Sequence, residues 1–301
     1  MGLCLAGASV RVEDITGAIW GTRVSSGTVP RLDQKIYART LVRIRNKMKR
    51  SLYWWDPVDG SINVGDYLSK VIVAKILESR GTRIADKTSK KNRLLAIGSI
   101  LHYANTDDCI WGTGRNGNIS EGHYKFTSLD VRAVRGPLTR DYLLKRGIAC
   151  PDRFGDPALL APWLFPRQLF EGTAPHRDYI VIPHFLADLS KLRLDPQHLC
   201  MPTLMPAEFI RRIVNSSLVI SSSLHGLILA EAYGVPTVFL NVWHTENILK
   251  YEDYYLGTGR KNYSSVSSIE EALAVERVSP PDFTQIQRSL LDAFPFDLWA
   301  F

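Results

Sequence analysis

The sequence is poor in cysteine and has no paired metal-ligating motif. Its four cysteines, Cys4, Cys109, Cys150 and Cys200, are scattered through 301 residues, and no CxxC or Cys/His cluster occurs. The seven histidines form neither an HxxxH nor an HxH pair. These absences exclude a disulfide framework and predict reduced thiols in a cytosolic chain without a bound metal.

Long apolar runs and leader sequences are also missing. No stretch approaches the ~18–20 uninterrupted apolar residues that a transmembrane helix requires. The first residues lack a basic region and reach Arg11 too early for a secretory signal, and Ala6 does not fit the myristoylation pattern. We therefore expect a cytoplasmic location.

Two common catalytic signatures are absent as well. The chain contains neither GxSxG nor GxxxxGK[ST], the motifs typical of serine hydrolases of the α/β type and of P-loop NTPases. The sequence therefore gives no support for either class. What is present is ordinary for a soluble globular protein, with 45% apolar and 22% charged residues. A length of 301 residues is enough for one large domain or two medium ones.

The net charge of +7 is a local feature. Residues 31–50 hold eight basic residues and one acidic residue, which leaves 29 basic and 29 acidic residues in the rest of the chain. Apolar residues at spacings near 3.6 predict a basic amphipathic helix over 33–50. This helix either contacts an anionic membrane surface or packs as a solvated helix on its own domain. A neutral body without a recognisable module predicts no nucleic-acid partner.

Strand-like and helix-like segments alternate from residue 51 onward, in two successive blocks. The strand-like segments are SLYWW, RLLAIGSIL, CIWGTG and VRAVRG, then DYIVIPHF, LVISSS and PTVFLN. This alternation predicts an α/β fold with two Rossmann-like domains facing a cleft. We expect an N-terminal arm over 1–50, a first domain over 51–170 and a second over 171–301.

The most informative junction follows the predicted buried strand LVISSS. Three serines at 221–223 end the strand, and Leu224, His225 and Gly226 open an apolar helix. In open α/β sheets, ligands bind beyond the carboxyl ends of strands, next to helix N-termini. A protonated His225 there would bind an anion or act as a general acid. The alternative is a core or capping histidine.

Other junctions add candidates with alternatives of their own. Asp66 precedes a helix predicted from residue 67, where it is either a functional carboxylate or the N-cap. Arg135 would hold a carboxylate or phosphate, or form a surface ion pair. The pair Trp54-Trp55 could stack on a sugar or simply pack. Further polar or small residues at such junctions are Asn63, Gly98, Ser99, Gly112, Asp156, His184 and Glu231.

Together these motifs resemble the polysaccharide pyruvyltransferase family, over about residues 52–295. The matching stretches, in family order, are NVGDYLS (63–69), LLAIGSIL (94–101), IWGTG (110–114), VRAVRGPLTR (131–140), FGDPALL (154–160), VISSSLHGLILAEAYGVPTVF (219–239) and KYEDYYLGTGR (250–260). The resemblance implies a glycosyltransferase-B-like architecture. It also implies transfer of the carbon skeleton of phosphoenolpyruvate (PEP) to two hydroxyls of one sugar, which forms a cyclic ketal and releases phosphate. PEP is then a co-substrate, and no cofactor is implied.

The resemblance also implies a PEP site at the start of the 224 helix. The family carries an Arg-Leu-His run there, and this chain has Ser223-Leu224-His225 followed by Gly226. The histidine is present and the arginine is not. Another cation must therefore replace it, and Arg135 is our first choice.

Arg140 and Arg260 are the second choices for this cation. In the implied reaction His225 acts as the acid. Asp66 accepts the hydroxyl proton, with Asp156 and Glu231 as alternatives. Asn63, Gly98, Ser99, Gly112 and His184 are expected in the cleft near the acceptor.

The resemblance gives the basic segment a possible role. A lipid-linked oligosaccharide acceptor would place the enzyme at the inner face of the cytoplasmic membrane, held there by residues 31–50. Two alternatives stay open at this stage. A nucleotide-sugar glycosyltransferase would have the same architecture, and a non-catalytic carbohydrate-binding component would explain the missing arginine.

Overall fold

Two parallel four-stranded sheets organise the part of the chain that the computed structural model describes, residues 51–86, 92–192, 194–242 and 247–299. The first sheet consists, in spatial order, of β1 (Leu52–Tyr53), β2 (Leu94–Leu95), β3 (Cys109–Trp111) and β4 (Asp130–Ala133). The second consists of β5 (Ile180–Ile182), β6 (Val219–Ser221), β7 (Thr237–Leu240) and β8 (Ser265–Val266). The predicted α/β class is confirmed, while the glycosyltransferase-B-like arrangement and the domain boundary stay predictions.

Helices connect the strands, as parallel pairing requires. They are α1 (Val64–Glu78), α2 (Pro137–Lys145), α3 (Ala161–Leu164), α4 (Pro206–Val214), α5 (Leu224–Ala232), α6 (Leu249–Gly257), α7 (Ile269–Ala274) and α8 (Thr284–Asp292). A 3₁₀ turn at Pro157–Leu160 precedes α3. Strands β3, β5 and β6 are buried along their whole length, because helices cover parallel sheets on both faces.

Helix α1 begins earlier than the sequence pattern predicts. Its N-cap is Asn63, whose side chain accepts a hydrogen bond from the N–H of Gly65 at 3.2 Å. Asp66 therefore lies inside the first turn and is not the cap. The apolar run from residue 67 indicated the body of the helix but not the turn before it, and Asn and Asp are equally good N-caps, so the sequence alone did not choose Asn63.

Helix α6 and strand β8 have no counterpart among the predicted elements. Lys250 and Asp253 on α6 are both buried, so the helix lacks the clean separation of apolar and polar faces that would have indicated it. The strand β8 is two residues long and half-exposed, too short for a period-2 pattern to be visible.

The C-terminal helix α8 returns to the first sheet. The indole N–H of Trp111 on β3 donates to the carbonyl of Leu290 at 2.8 Å, and the amide of Gln287 donates to the carbonyl of Leu159 at 2.8 Å. Buried residues of both halves form one continuous cluster there. The end of the chain thus helps to hold the first sheet.

The predicted arm over 1–50, including the basic helix of residues 31–50, lies outside the described residues. In the part of the chain that is described, no helix is long and apolar enough to cross a membrane.

Candidate active site

A cavity of about 280 Å³ collects side chains from the first and second halves of the chain. It is lined by Trp55, Asn63, Asp66, Ser99, Ile100, His102, Tyr103, Asn116, Ile119, His184, Phe185, Leu186, Ser223, Leu224, His225 and Lys250. Eight residues that sequence analysis singled out therefore meet here: Trp55, Asn63, Asp66, Ser99, His184, Ser223, Leu224 and His225.

His225 lies in the first turn of α5, two residues after the N-cap residue Ser223. The Ser223 hydroxyl accepts a hydrogen bond from the N–H of Gly226 at 3.4 Å, which fixes the start of the helix. The imidazole rests against the backbone of Gly65: a Cβ placed on Gly65 would lie only 2.0 Å from Nδ1 of His225. The glycine of the NVGDYLS motif is therefore what makes room for the ring.

His225 and Asp156 form a buried charge pair. Nε2 of His225 lies 3.4 Å from Oδ2 of Asp156, and neither atom makes a hydrogen bond within the described part of the chain. The other carboxylate oxygen of Asp156 accepts from the N–H of Ala158 at 2.9 Å and caps the 3₁₀ turn. Nε2 of His225 therefore faces Asp156, while Nδ1 packs next to Gly65.

Asp66 is buried beside this pair. Its carboxylate lies against Gly98, where a Cβ would come within 2.3 Å of Oδ1 and where φ is +109°. Loss of water around the buried group raises the pKa of Asp66 to about 7, although His225 and Lys250 attract its charged form. A carboxyl group with such a pKa can accept or donate a proton near neutral pH.

Arg135 does not line the cavity, and this corrects both sequence interpretations of it. Its guanidinium is completely buried and donates to Asp253 at 3.1 Å, to the hydroxyl of Ser99 at 2.7 Å and to the carbonyl of Arg115 at 2.8 Å. All of its nitrogens are therefore committed to the protein. Since Ser99 lines the cavity, Arg135 holds part of the wall and does not offer a free cation to a ligand.

The other predicted cations and the alternative carboxylate Glu231 also lie outside the cavity wall. Arg260 forms a two-pronged ion pair with Glu231 at 2.9 and 2.7 Å, and the hydroxyl of Tyr254 donates to Glu231 at 2.6 Å. This buried cluster neutralises Glu231, which is behind His225 on the same helix. Arg140 on α2 is likewise absent from the cavity wall.

Gly112 and Gly226, which were predicted at the site, pack closely against neighbouring residues and do not line the cavity. Gly112, at φ +91°, packs against Pro157, and a Cβ there would lie 2.2 Å from the proline ring. Gly226 packs against the hydroxyl of Ser221 at the end of β6, where a Cβ would approach to 2.4 Å. Neither glycine contacts the cavity, so both act through packing and not as ligand-binding residues.

Sequence reasoning missed Lys250. It lies in the first turn of α6 with its residue only 9% exposed, and its ammonium is 3.4 Å from Nε2 of His184. The available signal was a lysine at the start of the KYEDYYLGTGR motif. That signal could not show that the side chain is buried or that it faces the same cavity as His225.

Aromatic rings also line the cavity. Trp55 and Phe185 meet edge to face with ring centroids 5.8 Å apart, and the rings of His102 and Tyr103 are tilted against each other with centroids 4.1 Å apart. Burial lowers the pKa of His102 to about 4, so this imidazole is neutral near pH 7. Rings with polar tips suit a sugar, which presents an apolar face and a rim of hydroxyls.

No group of three His, Cys, Asp or Glu side chains that could hold a metal ion occurs within residues 51–86, 92–192, 194–242 and 247–299. The chemistry that this arrangement can support is proton transfer between Asp66, His225 and a ligand, next to a buried ammonium.

Comparisons with known proteins agree with these motifs. The sequence model of the polysaccharide pyruvyl transferase family matches residues 63–244, and the chain belongs to this family. The matched segment contains Asp66, Asp156 and His225 but ends before Lys250.

Two relatives share part of the chain. The succinoglycan biosynthesis protein ExoV of Rhizobium meliloti (strain 1021) is 28% identical over 217 residues, which cover 67% of this chain and 63% of that protein. The match thus spans slightly under two thirds of the length of ExoV. The uncharacterized protein L143 of Acanthamoeba polyphaga mimivirus is 23% identical over 223 residues, 69% of this chain and 76% of that protein.

A solved structure, that of an uncharacterized protein from Klebsiella pneumoniae subsp. pneumoniae NTUH-K2044, aligns with 77% of this chain and 98% of its own. The TM-score is 0.37 at 14% identity.

Proposed function

We propose that this protein transfers pyruvate from PEP to two hydroxyls of one sugar in a polysaccharide repeat unit, forming a cyclic ketal and releasing phosphate. The observation that carries the proposal is the His225–Asp156 pair, buried at 3.4 Å and left without hydrogen bonds on its facing atoms, beside the carboxyl group of Asp66. Membership of the polysaccharide pyruvyl transferase family supports the reaction class.

His225 supplies the first proton. In its imidazolium form, His225 donates a ring proton to the methylene carbon of PEP, which becomes a methyl group, and the adjacent carbon becomes cationic. The buried carboxylate of Asp156 stabilises the imidazolium before transfer and holds the ring in place. The glycine surface at Gly65 keeps the ring from turning away.

Asp66 receives the proton that the sugar releases. As the first hydroxyl oxygen bonds to the cationic carbon, its proton passes to the Asp66 carboxylate. The bond from this carbon to the phosphate oxygen then breaks, and the second hydroxyl oxygen closes the ketal. Of the two hydroxyl protons, one leaves with phosphate and one restores the proton that His225 gave to the methyl group.

The aromatic side chains that line the cavity fit the acceptor. Trp55, Phe185 and Tyr103 offer ring faces and edges on which a sugar can stack, and neutral His102 offers a hydrogen-bonding edge. We further propose a lipid-linked acceptor at the inner membrane face, contacted by the basic segment 31–50. Removal of residues 1–50 should then abolish sedimentation with anionic vesicles and spare activity on soluble acceptors; undiminished sedimentation contradicts the membrane proposal.

The reaction is tested by incubating the full chain with PEP and a panel of lipid-linked and model glycosides. We expect phosphate release together with an acceptor that gains the mass of one pyruvate ketal. His225→Ala should lower the turnover number by about 10²–10⁴-fold, the usual worth of general acid–base catalysis. Binding of nucleotide sugars without binding of PEP would contradict the proposal, as would near-normal turnover in His225→Ala.

A further inference from the structure

The hydroxyl of Ser99 lies between a buried guanidinium and the cavity. Ser99 lines the cavity and is partly exposed, whereas the side chain of Arg135 behind it is completely buried. Nη1 of Arg135 donates to Oγ of Ser99 at 2.7 Å. Because Arg135 does not line the cavity, its effect on a ligand must pass through Ser99.

We infer that Ser99 is a ligand-binding residue whose hydroxyl donates a hydrogen bond to an anionic oxygen of PEP, on its carboxylate or its phosphate, and that Arg135 polarises this hydroxyl from behind. The inference rests on the proposed function, because it assigns the donor of that reaction to one wall of the same cavity. Arg135 is a positioning residue here, since it acts through Ser99 and does not touch the ligand.

The role of the Ser99 hydroxyl as a donor follows from the chemistry of its partner. A serine hydroxyl has one proton to donate and two lone pairs that accept. A guanidinium has only donors, so the bond from Arg135 uses a lone pair of Oγ and leaves the hydroxyl proton unused. Among residues 51–86, 92–192, 194–242 and 247–299, none accepts that proton. A ligand in the cavity that Ser99 lines can therefore accept it.

The ion pair behind Ser99 makes an anionic oxygen the better acceptor. Asp253 takes up one edge of the Arg135 guanidinium, with its Oδ2 3.1 Å from both Nε and Nη2. Nη1, at the other corner of the group, is the nitrogen that faces Ser99. A hydroxyl that accepts from a charged donor is polarised and becomes a stronger donor itself. Hydrogen bonds to an ionised acceptor are about twice as strong as neutral ones.

The backbone on either side of Ser99 is held by the loop after β3. The carbonyl of Gly98 accepts from the hydroxyl of Thr113 at 2.7 Å and from the N–H of Gly114 at 3.1 Å. The N–H of Leu101 donates to the carbonyl of Gly114 at 3.4 Å. Ser99 therefore lies between two anchored residues, and a hydroxyl that is already in place loses little entropy on binding.

Gly114 provides the space for the guanidinium of Arg135. A Cβ on Gly114 would lie 2.3 Å from Cζ of Arg135 and 2.5 Å from its Nη2. An alanine at this position would therefore displace the guanidinium from its present contacts. The glycine of the IWGTG motif thus acts on the cavity through Arg135 and Ser99, although it does not line the cavity itself.

The test is calorimetric titration of the full chain with PEP, pyruvate, inorganic phosphate and a neutral model glycoside. Ser99→Ala should weaken binding of PEP by about 10–100-fold, the loss expected for a hydrogen bond to a charged group. A matching loss for pyruvate assigns the contact to the carboxylate, and a matching loss for phosphate assigns it to the phosphate. Binding of the glycoside should change by less than about twofold.

The matched control is Ser216→Ala. This variant removes a buried hydroxyl that donates to the carbonyl of Ile213 at 2.8 Å, at a serine that does not line the cavity. Both variants therefore remove a serine hydroxyl that forms a hydrogen bond, but only Ser99→Ala should change the affinity for PEP.

Two further variants keep the test decisive if Ser99→Ala does not fold. Ser99→Thr retains the hydroxyl and should bind PEP within about threefold of wild type, whereas Ser99→Cys supplies only a weak donor and should lose about tenfold. In turnover assays the loss in Ser99→Cys should appear in the KM for PEP and not in the KM for the acceptor. A merely structural role would not produce that split.

The role of Arg135 is tested by combining Gly114→Ala with Ser99→Ala. Gly114→Ala alone should weaken binding of PEP, because the guanidinium is displaced from Ser99. In the Ser99→Ala protein it should weaken binding by less than about a further twofold, since both changes remove the same hydrogen bond. Additive losses overturn the role of Arg135.

The inference and the proposed function fail in different ways. Wild type that binds PEP while Ser99→Ala and Ser99→Cys bind it equally well overturns the inference and leaves the proposed function intact. A loss that is confined to the glycoside has the same meaning. Wild type that does not bind PEP overturns the proposed function itself.

Discussion

The molecule contains two buried cation–carboxylate pairs that differ in how completely they are satisfied. Arg135 and Asp253 are both fully buried, and the carboxylate of Asp253 also accepts hydrogen bonds from the N–H and hydroxyl of Thr139 at 3.0 and 2.6 Å. His225 and Asp156 face each other at 3.4 Å without a hydrogen bond on either facing atom. We call Arg135–Asp253, whose charged atoms have hydrogen-bond partners, the closed pair, and His225–Asp156, whose facing atoms have none in the described part of the chain, the open pair.

This difference in hydrogen bonding assigns a structural role to Arg135–Asp253 and a chemical role to His225–Asp156. The Arg135–Asp253 pair joins the end of β4 and the start of α2 to α6, so it fixes the helix that carries Lys250. Its polar atoms have partners, as stable buried networks require. Unsatisfied buried atoms cost free energy, so the His225–Asp156 pair beside the cavity indicates a role other than stabilising the fold.

The largest effect is expected on breaking the closed pair. Arg135→Met leaves the carboxylate of Asp253 buried without its cation and should lower the free energy of unfolding by about 3–5 kcal/mol. Arg132→Met is the matched control, because Arg132 pairs with Asp130 and Asp297 with its side chain 30% exposed. That control should lose no more than about 1 kcal/mol in the same urea titration. Equal losses in the two variants would contradict the structural role of Arg135.

A smaller loss, confined to activity, is expected from the open pair. Asp156→Asn keeps an oxygen that can cap Ala158 but removes the charge facing His225. We expect the turnover number to fall about 10²-fold, because the imidazolium loses its stabilising carboxylate. Stability should change by less than about 1 kcal/mol.

This result separates the two pairs when it is measured beside Asp253→Asn. The Asp253 variant should unfold at lower urea because its carboxylate accepts from Arg135 and Thr139 together. An Asp156→Asn protein that unfolds as readily, with unchanged turnover, would show that His225–Asp156 is also structural.

The smallest effect is a pH dependence at Asp66. Its pKa is raised from an ordinary value of 3.8 to about 7, so the native state binds the proton more tightly than the unfolded chain. The stabilising contribution of this group is complete below about pH 4 and is lost as the pH rises through about 7. Asp66→Asn removes that pH dependence and should melt about 2–4 °C above wild type at pH 8, with a smaller difference at pH 5.

The activity of the wild type should depend on pH in the opposite sense to the stability contribution of Asp66. Because Asp66 must be ionised to accept the hydroxyl proton, turnover should decline as the pH falls below about 7, and Asp66→Asn should be slow throughout. Parallel melting curves and initial rates at pH 5, 6, 7 and 8 check both statements. A variant that is less stable than wild type at pH 8 would be inconsistent with the raised pKa.

The sequence was informative wherever a local pattern has a local cause. Apolar runs predicted β5, β6 and β7, and the serines and His225 after the β6 strand predicted a ligand site at the start of α5. Asn63 and Asp66 were found through the motif that opens α1, although capping belongs to Asn63. Each of these inferences needed only neighbouring residues and the geometry of one strand–helix junction.

Inferences about charged partners were less successful, because burial and pairing are set by distant segments. Arg135 and Asp253 are separated by 118 positions, and nothing near either residue indicates that they meet. Lys250 and His184 are 66 positions apart, in elements that the pattern did not link. A basic side chain in a sequence can be a ligand anchor, a buried clamp or a surface charge, and local spacing does not distinguish them.

By itself, the sequence determined the α/β class, the family and the presence of a histidine at the start of α5, since these follow from periodicity and contiguous motifs. Only the tertiary structure decided which cation faces the cavity. It placed Arg135 against Asp253, Arg260 against Glu231 and Lys250 beside His184. The physical reason is that a charge acts through its surroundings, and the packing of distant segments decides which groups surround each charge.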